Sequence, residues 1–151
     1  MRIKIKDPGS ALTHFIAMLL ALFAAAPLLG KAARGSDSVH LMALTVFIVS
    51  MILLYAASTI YHTLDISASV NRRLRKLDHM MIFILIAGTY TPLTIALLDR
   101  ADGTILLSVI WGGALVGILL NLFWPTAPRW LTTLIYVALG WVAVWYLPQL
   151  W

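Results

Sequence analysis

The chain has 151 residues, of which 62% are hydrophobic and only 11% charged, with a mean hydropathy of +0.93. A soluble domain carries about 25% charged residues, and so short a chain leaves too much surface outside to hide this composition from water. Disorder, nucleic-acid binding as the main role and a disulfide-stapled secreted scaffold are excluded, the last because cysteine is absent. The natural solvent is lipid.

Five apolar stretches stand out, near residues 11–30, 40–61, 79–98, 104–124 and 130–148. Each has the length that a helix rising about 1.5 Å per residue needs to cross about 30 Å of hydrocarbon. The expected fold is an all-α integral membrane protein, a single domain of five transmembrane helices. The first stretch has features of a signal peptide: a basic start and a run of Ala24, Ala25 and Ala26. Asp7, Pro8, Gly9, Ser10 and His14 interrupt its entry, and Pro27 follows the small residues directly, so a retained helix is expected.

Lys and Arg are unevenly distributed between the two sides of such a bundle. Arg2, Lys4 and Lys6 in the N-terminal tail, Arg72, Arg73, Arg75 and Lys76 before the third stretch, and Arg129 before the fifth make eight on one side. Lys31, Arg34 and Arg100 make three on the other. The positive-inside bias then predicts a cytoplasmic N-terminus in the plasma membrane. Trp111, Trp124, Trp130, Trp141, Trp145 and Trp151 read as interfacial anchors.

Three ionisable residues matter at membrane depth, where such groups usually mark working sites. His14 lies about one turn inside the first helix, His62 closes the second, and Asp78 opens the third. Chain direction places all three in one cytoplasmic layer. Ser58, four residues before His62, shares its helix face and can hold the imidazole or a water. Nitrogen and oxygen ligands without sulfur suit zinc, and an Asp beside the metal can orient or deprotonate a water. A satisfied interfacial His and a helix-capping Asp account for the same residues. His79 points about 100° away from Asp78 and reads as an interfacial partner. His40 reads as structural, and Asp37, Asp65, Asp99 and Asp102 as solvated charges. In the stretch from Ala87 to Pro92, Gly88 predicts close helix packing. Pro92 predicts a kink whose freed carbonyl a nearby hydroxyl can satisfy.

Asp7-Pro8-Gly9-Ser10-Ala11-Leu12-Thr13-His14, Ala57-Ser58-Thr59-Ile60-Tyr61-His62, Leu77-Asp78-His79 and Ile86-Ala87-Gly88-Thr89-Tyr90-Thr91-Pro92 together resemble the bacterial hemolysin III family. That family groups with the progestin and adiponectin receptor membrane proteins and, more distantly, with alkaline ceramidases. The resemblance implies a seven-helix bundle, of which these would be the first five helices, with a zinc site near the cytoplasmic leaflet. It assigns His62 as a direct zinc ligand, Asp78 as a group reaching the metal through water, and Ser58 as the motif serine. His14 matches the histidine of the family's opening motif, where Asp7 and Ser10 replace Glu and Asn. Two further His ligands come, in the receptor branch, from an H-x-x-x-H motif on the seventh helix, a pattern absent from these 151 residues. The chain is therefore expected to be a partial family member holding half of the site. The function implied is zinc-dependent hydrolysis of a lipid amide or ester, with Asp78 and Ser58 as catalytic residues and membrane lipids as partners. A pore-forming or membrane-perturbing cytolysin and a non-catalytic regulator of membrane lipid state are the alternatives.

Overall fold

A computed structural model describes residues 5–35, 37–124 and 128–146. They form five helices: α1 (Pro8–Ala33), α2 (Ser38–Thr63), α3 (Ala68–Leu97), α4 (Arg100–Phe123) and α5 (Arg129–Tyr146). Helix starts follow local chemistry. Asp37 accepts from the backbone N–H groups of Val39 and His40, Ser67 from Val70, and Asp99 from Ala101 and Asp102, filling donors that a first turn leaves open. Asp37 and Asp99, expected to be merely solvated, are thus caps. Asp65 accepts from the Asn71 carboxamide at 2.8 Å.

The third helix differs most from expectation, starting at Ala68 rather than near 79. Hydropathy locates the part of a helix that meets lipid. The helix itself runs on into the polar layer, where Ser67 caps it and Arg72–Lys76 ride on its first turns. The basic cluster is therefore helical rather than part of a connection. Asp78, three turns inside the helix, neither opens nor caps it. Within the described residues the apolar part of α5 is Trp130–Val144, about 22 Å at 1.5 Å per residue. The expected helix end at 147–148 lies outside the described residues, as does Trp151.

Four helices are long and apolar enough to cross a membrane. Only 6% of the apolar window of α1 is buried inside the protein, so its remaining surface needs lipid. Successive helices pack side by side, and α3 is the hub, touching α2, α4 and α5. Where lipid is as apolar as the side chains, such contacts hold by close packing rather than by expulsion of water. Phe83, Ala87 and Tyr90 of α3 meet Leu106, Ile110 and Ala114 of α4 and Leu139 of α5 in a common core. Gly117 of α4 lies against the Phe83 ring, and Gly88 of α3 against Ser50 of α2, the close approach expected at Gly88. The Thr89 and Thr91 hydroxyls bond the carbonyls of Leu85 and Ala87, rather than the Gly88 carbonyl that Pro92 frees. Trp111 donates to the Thr91 hydroxyl at 3.2 Å, while Trp130 and Trp141 remain two-thirds exposed, as lipid-facing anchors are.

Tyr90 ties α5 to the hub. Its hydroxyl donates to the Leu139 carbonyl at 2.8 Å and accepts from the Ala143 backbone N–H at 2.7 Å, the pair that an α-helix normally joins directly.

Candidate functional site

The N-terminal segment, the end of α2 and the start of α3 share one side of the bundle. Backbone N–H groups of Lys6 and Asp7 donate to the carbonyls of Thr63 and His62, at 3.4 and 2.9 Å. This short pairing fixes the entry to α1 against the exit of α2. Lys6 Nζ sits 3.5 Å from the centre of the Tyr61 ring, a cation–π contact that reinforces it.

Two histidines meet in this layer. The His14 and His62 rings lie edge to face with centroids 5.5 Å apart. His14 Nδ1 is 2.5 Å from Ser58 Oγ, and Ser58 is buried. His62 Nδ1 is 3.0 Å from the Asp7 carboxylate. An ionised carboxylate only accepts, so Nδ1 carries a proton, and in the neutral ring Nε2 keeps its lone pair. Asp7 stands at the N-cap of α1 without capping it; its side chain is committed to His62 instead. His14, Ser58 and His62, brought together on sequence grounds, are thus neighbours in space.

Asp78 occupies a different environment. It is 8% exposed, its carboxylate is 3.6 Å from His79 Nδ1, and Tyr136 of α5 is within electrostatic reach. The Tyr136 hydroxyl donates to the His79 carbonyl at 2.8 Å, and His79 Nδ1 donates to the Arg75 carbonyl at 2.8 Å. No hydrogen bond or ion pair joins Asp78 to His14, Ser58 or His62 among the described residues. His79 thus bonds along its own helix and to α5. His40, on the far side, pairs with Asp37 at 2.6 Å, a structural role.

Two participants escaped sequence reasoning. Asp7 was read only as the residue in place of the Glu of the family's opening motif, and its pairing with His62, 55 residues on, has no local signal. Tyr136 carries none either, because only packing of α5 on α3 brings it to His79.

A zinc ion needs three protein ligands or more. Among the described residues no three His, Asp or Glu side chains converge on a point that would hold a metal. These residues do not by themselves fit zinc, although His62, held at Nδ1 by a carboxylate, has the arrangement of a metal-ligating imidazole.

A family model described as haemolysin-III related matches residues 3–151. The chain is 36% identical over 139 residues to the hemolysin-3 homolog of Bacillus subtilis (strain 168), covering 92% of this chain and 65% of that one. It is 34% identical over 139 residues to hemolysin-3 of Bacillus cereus, covering 92% and 63%. The chain thus spans somewhat under two thirds of the length of these relatives. No solved structure matches it significantly. With the family match running almost end to end over a helical membrane bundle, the chain belongs to the haemolysin III family.

Proposed function

We propose that this chain supplies part of a zinc-centred site near the cytoplasmic leaflet of the plasma membrane, which hydrolyses an amide or ester of a membrane lipid. The Asp7–His62 pair carries the reading. A carboxylate on Nδ1 fixes the ring and leaves Nε2 as a ligand, as outer partners of metal-bound histidines do. His14 and Ser58 lie beside it, and Asp78 is the candidate proton acceptor. The ligands that complete the site come from outside the described residues. The cytoplasmic orientation rests on Lys6 and the Arg72–Lys76 cluster, which share the side of this pair.

The relative from Bacillus cereus is named a hemolysin, which keeps a membrane-perturbing role as the second reading. A pore needs a polar stripe along its helices, yet between Thr104 and Trp124 only Ser108 and Asn121 offer one. This favours a site over a channel.

Metal content and lipid turnover of the complete gene product test the proposal. His62→Ala loses both; Asp78→Ala keeps the metal and loses turnover. Unchanged turnover in Asp78→Ala would end its catalytic role, bound metal without turnover in the wild type would leave a regulator, and metal-free leakage of liposomes would favour the cytolysin.

A further inference from the structure

A cavity of about 480 Å³ opens between the start of α3, the end of α4 and the start of α5, on the same side as the Asp7–His62 pair. Arg72, Arg75, Lys76 and His79 line it from α3, with Asn121 and Trp124 from α4. The four α3 residues follow the spacing i, i+3, i+4, i+7, which puts them on one helix face. Arg73, in the same basic run, is turned about 100° away and does not line the cavity.

The charged groups of the wall are cations. Among the described residues no Asp or Glu lines it. Among the described residues Lys76 Nζ bonds the Leu122 carbonyl at a long 3.4 Å. Positive-inside topology requires cations on this side but is indifferent to helix face. Three cations gathered on one cavity ask for an anion with several acceptor oxygens. The cavity sits at the end of membrane helices, Ile82 adds an apolar wall, and half-exposed Trp124 stands at its rim, so the anion should carry an acyl tail.

We propose that this cavity binds the phosphate headgroup of an anionic phospholipid, as basic pockets between membrane helices do. The site is independent of the zinc reading, since neither His62 nor Asp78 lines it.

The test is a titration of phosphatidylglycerol into the complete gene product held in phosphatidylcholine micelles at about 150 mM salt, where the Debye length is about 8 Å. Melting temperature and lipid retention in native mass spectrometry are the readouts. One phosphatidylglycerol per chain should be retained, with a rise in melting temperature that inorganic phosphate does not reproduce. Arg75→Gln and Arg72→Gln should each raise the half-saturating concentration about five-fold, and Arg73→Gln less than about two-fold. Melting in phosphatidylcholine alone checks that each variant folds, and the two pocket variants back each other up. Equal losses in Arg73→Gln and Arg75→Gln would mean a delocalised basic surface and overturn the site. No retained lipid, or a full shift with inorganic phosphate alone, would also overturn it.

Discussion

Asp7 begins α1 but spends its carboxylate on His62, at 3.0 Å across 55 residues of chain. The other capping residues, Asp37, Ser67 and Asp99, close on their own first turns. A helix start has given up a local hydrogen bond to orient an imidazole, and the choice makes sense where the imidazole has a task.

Replacing Asp7 by Asn should therefore separate stability from metal affinity. The Asp7 side chain is half exposed, so loss of the ion pair should cost only about 0–1 kcal/mol, and Asn can still cap α1. Zinc affinity of the complete gene product should fall about 10- to 100-fold. Equilibrium dialysis and thermal melting check the two effects; unchanged affinity would remove Asp7 from the site.

Gly117 and Gly112 make a matched pair on α4. A Cβ at Gly117 would strike the Phe83 ring, which has no room to yield inside the core, so Gly117→Ala should destabilise by about 1–3 kcal/mol. Gly112 meets nothing within 4 Å, and Gly112→Ala should be neutral or stabilising by up to about 1 kcal/mol. Unfolding in mixed detergent measures both, and similar effects would contradict the packing.

Tyr90→Phe removes the hydroxyl held between Leu139 and Ala143. The expected cost is about 1–2 kcal/mol, with faster amide exchange concentrated on α5. Exchange spread evenly over all helices would show that Tyr90 does not pin α5.

Asp37 offers a pH test outside the membrane. The His40 side chain, then the Val39 N–H, hold its carboxyl below the ordinary value of 3.8. A depressed carboxyl stabilises the start of α2 above its unfolded value and loses that effect as pH falls through the folded one. Carboxyl NMR should give a midpoint below 3.8, and His40→Ala should raise it. A wild-type midpoint at or above 3.8 would contradict the contact.

The membrane fold was legible because a helix must satisfy every backbone group within itself in lipid, so about twenty apolar residues suffice to declare it. The family motifs were legible as local strings, and helix direction alone placed His14, His62 and Asp78 in one layer, of which His14 and His62 meet. The early start of α3 was not, because a run rich in Arg and Lys carries no hydropathy signal and Ser67 reveals itself as a cap only through the bond it makes. The commitment of Asp7 to His62, the placement of Asp78 beside Tyr136 and the gathering of Arg72, Arg75, Lys76 and Asn121 around one cavity belong to tertiary structure. Each joins side chains from different helices, and helix packing, not local pattern, sets their distance.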